Sequence, residues 1–246
     1  MSQLAKLVLE NDLLLEFEKF KRGKKIDTAK IQALLHYYKP PHALNKEQQD
    51  FLAQNKVKIE QDELNAIVSS GCFDLPLEDL AKQTTFKIIL SENKTDFPYV
   101  CVFNDRLENN FTATFKSREE RTKAIRHFMD LFSGAKEIFI YDKFLKMQWL
   151  EYLIQNCIIR SNVKLIVVKT DNNEFKESCQ VCGLAVTVVD GNNVSYHPKT
   201  THDRYINIDN KIQIILTSGL QHLQKCPTNS KGKLISKDFT YILREI

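Results

Sequence analysis

The segment from 137 to 190 constrains the fold more than any other part of the chain. It contains three short runs rich in β-branched and aromatic residues, EIFIYD (137–142), VKLIVVK (163–169) and LAVTVVD (184–190). We predict a strand for each run and a helix for each connecting sequence, KMQWLEYLIQNCII and NEFKESCQVCG. Near-continuous apolar strands that alternate with helices are typical of an α/β layer whose mostly parallel sheet is buried on both faces.

Aspartates end two of these three runs. Asp142 ends the first run and Asp190 ends the third. In open α/β sheets, ligands bind beyond the carboxyl ends of the strands. The two aspartates therefore mark the edge of the sheet at which we expect functional groups to gather.

Strand-like runs also flank this segment. RYINID (204–209) and KIQIIL (211–216) predict a hairpin over Asp209-Asn210, or two halves of one bent ribbon, and LQHLQK predicts a short helix after them. Ser117 is predicted to cap an amphipathic helix that ends at Gly134. Three runs before that helix predict an antiparallel sheet or meander: FKIIL (86–90), YVCVF (99–103) and NFTATF (110–115).

The N-terminal third of the chain has the apolar spacing of helices. The pattern predicts a first helix through Phe20, a second from Thr28 to Tyr38, a third that begins at an Asn45–Gln48 capping box, and a fourth over about 61–68. The sequence therefore predicts a helical region at 1–82, followed by an α/β domain at 84–246.

The composition is that of an ordinary globular protein with a mildly basic balance. The 246 residues are 43% hydrophobic and 27% charged, with a formal net charge of +4. This balance permits a polyanionic partner such as nucleic acid without requiring one. No stretch reaches the ~18 uncharged apolar residues of a membrane span. Acidic residues interrupt the apolar pattern at the N-terminus, whereas the apolar core of a signal peptide is uncharged. We therefore expect a cytoplasmic protein.

Cysteine spacing offers one further motif, Cys179-x-x-Cys182. The six cysteines are too scattered for a disulfide framework. A zinc site needs four ligands, and the sequence has no second pair with suitable spacing. We interpret the two cysteines as buried structural residues and expect neither a metal nor a cofactor.

An unusual density of charge interrupts the strand-like sequence at THDRYINID (201–209). His202, Arg204 and Asp209 have the spacing H-x-R-x4-D, and residues two apart on a strand point to the same face. An imidazole can attack phosphorus as a nucleophile, a guanidinium can stabilise charge on phosphoryl oxygens, and a carboxylate can orient the imidazole. The three residues are therefore candidate catalytic residues for phosphodiester cleavage that needs no metal.

The same stretch resembles the H-x-K-x4-D signature of the phospholipase D-like superfamily, with arginine in place of lysine. It is more similar still to a divergent branch that reads H-D-R-aromatic-I on the first strand of a hairpin and has a Gly-Leu turn after the second. Here these motifs are HDRYI (202–206) and TSGLQHL (217–223). The branch includes the domain attached to microtubule-interacting-and-transport modules and bacterial phospholipase D-like proteins. The resemblance implies a mixed sheet flanked by helices over 84–246, and it includes EIFIYDKFL (137–145).

The resemblance also implies a substrate site and an oligomeric state. Thr217 or Ser218 takes the place of the polar residue after the second strand, although the family's Gly-Ser-x-Asn turn is absent, and Lys199 is a second source of positive charge. Superfamily enzymes use two copies of the motif, whereas this chain has one, so that catalysis requires a two-fold homodimer. The implied activity is that of a phosphodiesterase, with nucleic acid as the favoured substrate, as in effectors of bacterial antiviral defence or toxin systems.

Two alternatives remain open at this point. The HDR stretch can be a structural part of the hairpin in a non-catalytic module that binds anionic lipid, nucleic acid or a protein partner. The arginine in place of lysine and the missing turn favour this reading. In addition, the N-terminal helices can be a docking region for a protein partner.

Overall fold

A computed structural model describes residues 5–60, 71–108, 111–159, 162–191, 204–229 and 231–246. The chain divides into two compact units, Met1–Asn109 and Asn110–Ile246. Each unit contains a β-sheet and helices, so the protein belongs to the mixed α/β class. The division lies after residue 109 and not after residue 82, because strands that were expected to open the second domain pair within the first unit.

The first unit alternates strands and helices. Its elements are β1 (Leu7–Leu9), α1 (Asn11–Lys21), α2 (Thr28–Tyr37), β2 (His42–Ala43), α3 (Lys46–Gln54), α4 (Leu77–Lys82), β3 (Ile89–Ser91) and β4 (Tyr99–Cys101). Among the described residues, its four strands form one parallel sheet in the order β2-β1-β3-β4.

The wholly helical N-terminal region was therefore a wrong prediction. Leu7, Val8 and Leu9 are completely buried and form a central strand, with β2 on one side and β3 on the other. A short apolar run that is buried on both faces has no periodicity of its own, so spacing cannot distinguish it from the first turn of a helix. The predicted meander is also wrong, since β3 and β4 are parallel neighbours in this sheet.

Local signals in the first unit were read correctly. The second predicted helix is α2, and Asn45 caps α3. The Asn45 Oδ1 atom accepts the Gln48 N–H at 2.9 Å, and the Gln48 Oε1 atom accepts the Asn45 N–H at 3.4 Å, which completes the capping box. The helix predicted over 61–68 lies outside the described residues.

The second unit carries the strands that dominate the sequence pattern. Its elements are β5 (Thr112–Phe115), α5 (Thr122–Ser133), β6 (Glu137–Tyr141), α6 (Met147–Cys157), β7 (Lys164–Lys169), β8 (Cys179–Val181), β9 (Leu184–Asp190), β10 (Arg204–Ile208), β11 (Ile212–Leu216), a 3₁₀ turn (Leu220–Leu223) and β12 (Phe239–Glu245). Within the described part of this unit, eight strands form one mixed sheet in the order β5-β12-β11-β10-β6-β7-β9-β8.

This sheet contains both parallel and antiparallel strand pairs. Strands β6, β7 and β9 are parallel neighbours, as the alternation of strands and helices predicted. The predicted hairpin is confirmed as β10 and β11, which pair from Arg204↔Leu216 to Ile208↔Ile212. Its turn places Asp209 and Asn210 at φ 50° and 51°, a left-handed conformation that these two residue types tolerate.

Helix α5 covers one face of the sheet. Direct pairing aligns Tyr241, Leu216 and Arg204 in one row across β12, β11 and β10. The Tyr241 hydroxyl lies 2.8 Å from Nδ1 of the buried His127 on α5. Arg204 therefore lies on the face that this helix covers, where the buried His127 packs against Tyr241.

Three local predictions in the second unit differ from the structure. The sequence before Gly183 is not a helix, because Cys179–Val181 forms strand β8, which turns through Cys182 and Gly183 at positive φ into β9. Helix α5 begins after Arg121, so Ser117 is not its cap. Strand β12 was not predicted at all. Among the described residues, none of the helices is long and apolar enough to cross a membrane.

Candidate functional site

A buried ion pair joins the carboxyl end of β6 to the beginning of β10. Because Tyr205 pairs directly with Tyr141, the antiparallel strands bring Arg204 next to Asp142. The Arg204 Nε atom donates to Asp142 Oδ1 at 3.2 Å. The Asp142 side chain is 2% exposed and that of Arg204 is 19% exposed. This ion pair is thus nearly withdrawn from solvent on the aspartate side and open to it on the arginine side.

Asp142 also fixes the turn that follows β11. Its Oδ2 atom accepts the Leu220 N–H at 3.3 Å, and its Oδ1 atom accepts the Phe144 N–H at 2.9 Å. One carboxylate therefore holds Arg204, the segment after β6 and the 3₁₀ turn together. Charged and polar groups therefore meet at the carboxyl end of β6, and whether they are functional stays a prediction.

His222 lies in that same turn and is 4% exposed. Its Nδ1 atom is buried and has no hydrogen-bond partner among the described residues. Burial lowers the pKa of His222 to about 4, and the positive charges of Lys237, Arg204 and Arg121 act in the same direction. The imidazole is therefore uncharged at neutral pH.

Arg121 anchors the turn from the other side. Its side chain is 2% exposed, and its Nε atom donates to the carbonyl oxygen of His222 at 3.1 Å. The terminal nitrogens donate to three more carbonyl oxygens, those of Lys116 at 2.9 Å, Glu119 at 2.7 Å and Lys237 at 3.2 Å. A buried cation that donates to carbonyl groups keeps its full positive charge near His222.

Sequence reasoning passed over His222 and Arg121. His222 stands within TSGLQHL (217–223), in which the Gly-Leu pair carries the family resemblance. Arg121 is one of three basic residues in a run of charges, REERTK, and no local pattern separates it from its exposed neighbours. Both residues acquire their environment from contacts with segments far along the chain.

Asp209 does not join the site, which corrects its predicted role as an orienting carboxylate. It lies in the β10–β11 turn, five residues from Arg204, a separation of about 17 Å along an extended strand. Its Oδ1 atom accepts the N–H groups of Lys136 and Glu137, both at 2.8 Å. Asp209 therefore caps the beginning of β6 at the opposite edge of the sheet, and Asp142 is the carboxylate beside Arg204.

The predicted nucleophile and one predicted binding residue lie outside the described residues. These are His202 and Lys199. In the sequence, His202 stands two positions before Arg204.

Thr217 and Ser218 have structural contacts. The Ser218 hydroxyl donates to the carbonyl oxygen of Asp238 at 3.1 Å, and the Thr217 hydroxyl donates to that of Thr240 at 3.4 Å. Both hydroxyls therefore attach the end of β11 to the beginning of β12. Neither contacts Arg204 or Asp142 in the hydrogen bonds of the described residues, so the structure does not bring these two predicted binding residues to the ion pair.

The cysteine pair does not form a chelating site. Cys179 begins β8 and Cys182 lies in the turn after it, so three residues of nearly extended chain place their Cα atoms about 10 Å apart. Disulfides need Cα atoms closer than about 7 Å. Cys182 is exposed and Cys179 partly buried, which corrects the interpretation of both as buried residues. The described residues contain no cluster of three or more side chains suited to a metal ion.

The side chains around the ion pair favour an anionic ligand. Among the described residues, the charges that lower the pKa of His222 are those of the cations Lys237, Arg204 and Arg121, and Asp142 contacts Arg204 directly as its counter-charge. The hydrogen bond to Asp142 uses Nε of Arg204, and the terminal nitrogens of a guanidinium can still clamp two oxygens of a phosphate. Comparison of the chain with models of known protein families and with curated proteins found no match.

Proposed function

We propose that the second unit is a phospholipase D-like domain that binds and cleaves phosphodiesters at the carboxyl end of β6. The observation that carries the proposal is the Arg204–Asp142 ion pair, which stands two residues from His202 in the sequence and beside the uncharged His222. An arginine at the edge of a sheet, whose terminal nitrogens have no hydrogen-bond partner among the described residues, suits a phosphate group.

In this proposal each group has a distinct role. The His202 imidazole attacks phosphorus, so that a bond from nitrogen to phosphorus forms as the bond from phosphorus to the ester oxygen breaks. The ester oxygen leaves with a proton from solvent, and water then hydrolyses the phosphohistidine and regenerates the imidazole. Arg204 clamps the phosphoryl oxygens. Asp142 holds the guanidinium through Nε and so orients Arg204, which is a different role from the one that the sequence pattern assigned to Asp209, namely orienting the imidazole. The chemistry needs no metal ion.

The wider setting is part of the same proposal. Because the chain has one copy of the motif, we propose a two-fold homodimer as the active form. The mildly basic balance favours nucleic acid as the substrate. We further propose a cytoplasmic effector of bacterial defence, with the first unit available to a protein partner.

Turnover in the presence of a chelator tests the proposal. Single- and double-stranded nucleic acid and a chromogenic phosphodiester are incubated with the full chain in EDTA, beside the variants His202→Ala and Arg204→Ala. Cleavage by the wild type that falls at least ~100-fold in both variants supports the proposal. A wild type that leaves every substrate intact, or a His202→Ala variant with full activity, overturns it.

One observation favours a second candidate function. This candidate is a non-catalytic module that binds anionic lipid, nucleic acid or a protein partner. Asp209 lies far from Arg204, so the carboxylate of the H-x-R-x4-D spacing is missing from the site. Salt-dependent binding to nucleic acid or to anionic vesicles, retained in His202→Ala and lost in Arg204→Ala, favours this candidate when turnover is absent.

A further inference from the structure

We infer that an anion bound at Arg204 is held together with a proton, which His222 takes up as the anion enters. The inference rests on the proposed anion site and adds a regulatory property to it. Affinity for phosphate-like groups then increases as the pH falls, although Arg204 and Arg121 carry a constant charge across that range.

Hydrogen bonds connect Arg204, Asp142 and Arg121 to the turn that contains His222. Asp142 accepts from Arg204 through one oxygen and from the Leu220 N–H through the other, so Arg204 and the turn that contains His222 share one carboxylate. Arg121 fixes the same turn through the carbonyl oxygen of His222. These contacts hold the backbone of the turn, and the His222 side chain has a buried Nδ1 atom that lacks a hydrogen-bond partner among the described residues.

Burial is the main reason that His222 is uncharged without a ligand, and nearby positive charges add to its effect. Cations act on it from β10 (Arg204), from the start of α5 (Arg121) and from the segment before β12 (Lys237). Helix α6 packs against the turn with a buried face that is apolar apart from Cys157, and burial raises the pKa of that thiol to about 12, so it is also uncharged. Asp142, after β6, is already bonded to Arg204.

A dianion at Arg204 opposes the contribution of the positive charges, while the effect of burial remains. Its negative charge offsets the cations that disfavour the imidazolium, so the pKa of His222 rises when the site is filled. By linkage, each unit of that rise strengthens binding about tenfold at a pH below both pKa values. The protonated ring also has N–H groups on both nitrogens, which adds a charged donor to the site.

Sulfate is the probe for this inference, because it remains a dianion through the neutral and mildly acidic range. Sulfate affinity is measured by NMR titration of the full chain at constant ionic strength, at about pH 7 and about pH 5. We expect binding to be roughly three- to tenfold tighter at the lower pH. Calorimetry in two buffers with different ionisation enthalpies measures the proton uptake directly on the wild type, and needs no variant.

Variants assign the effect to His222. His222→Gln should remove the pH dependence and the proton uptake, whereas His36→Gln, a change at an exposed histidine of α2, should keep both. Arg204→Gln should abolish sulfate binding at either pH. If His222→Gln unfolds, the histidine resonances of the wild type with and without sulfate still show whether one buried imidazole changes its pKa.

Three outcomes overturn the inference: sulfate affinity that is independent of pH, binding without proton uptake, and the absence of Arg204-dependent sulfate binding. Failure of the proposed function is distinguishable, since it is decided by turnover of phosphodiesters. A protein that binds sulfate with a proton but cleaves nothing retains this inference and loses the catalytic proposal.

Discussion

Arg204 and Asp142 form an ion pair across antiparallel strands β10 and β6, with Nε donating to Oδ1 at 3.2 Å. The two residues are 62 positions apart in the chain. Their contact depends on the register of these strands, in which Tyr205 lies opposite Tyr141. Since the same aspartate also accepts the Leu220 N–H, this contact connects the strands to the 3₁₀ turn that contains His222.

Replacement of Asp142 by asparagine should destabilise the second unit. The mostly buried guanidinium of Arg204 then lacks its counter-charge. We expect the free energy of unfolding to fall by about 1–3 kcal/mol, a range that allows for the exposed part of Arg204. The single tryptophan, Trp149, lies on α6, so its fluorescence during urea unfolding reports on this unit. Asp171→Asn, at an exposed position, is the matched control, and an equal stability of both variants would contradict the role of Asp142.

Replacement of Asp209 separates the two interpretations of this residue. Asp209→Asn keeps an oxygen acceptor and tolerates φ 50°, so we expect a loss below about 1 kcal/mol and unchanged sulfate affinity. Asp209→Ala removes the acceptor of the Lys136 and Glu137 N–H groups and should cost about 2 kcal/mol in the same urea experiment. A loss of anion binding in Asp209→Asn would show that this carboxylate acts at the site.

Stability of the second unit should decrease as the pH falls from 6.5 towards 4. The pKa of His222 is lowered from 6.5 to about 4 in the folded state, so in this window the unfolded chain binds a proton that the folded chain excludes. The full stabilisation is present above pH 6.5, and its loss can approach about 3 kcal/mol.

Urea unfolding monitored by Trp149 at several pH values measures this slope. His222→Gln should be less sensitive to pH than the wild type across this window. The exposed His36 of α2 provides the control variant, His36→Gln, which should retain the wild-type slope. An unchanged slope in His222→Gln would place the acid sensitivity in other groups.

Replacement of Arg121 by a residue that cannot form all of its hydrogen bonds should lower the stability of the second unit. Arg121→Lys leaves three N–H donors in place of the planar fork that now serves four carbonyl oxygens, so buried acceptors lose partners. We expect a loss of about 2–4 kcal/mol. Arg126→Lys, an exposed position on the same helix, should be nearly neutral in the same measurement, and a neutral Arg121→Lys would contradict the anchoring role.

Elements with a strong local pattern could be predicted without the structure. The runs that form β6, β7 and β9, the β10–β11 hairpin and the Asn45 capping box each depend on residues close together in the chain. The predictions for strands β1 and β8 were wrong because neither strand has a strong local pattern. A three-residue strand carries too short a pattern for its period to be recognised, and long-range pairing stabilises it.

Single residues of the candidate site also could not be placed from the sequence, because long-range pairing decides their contacts. From its sequence alone, the chain determines that a histidine, an arginine and an aspartate stand near a hairpin, and that an aspartate ends the strand at 137–142. Tertiary structure decides which aspartate meets Arg204. A strand of five residues separates its two ends by about 17 Å, while antiparallel pairing brings residues 62 positions apart into hydrogen-bond contact.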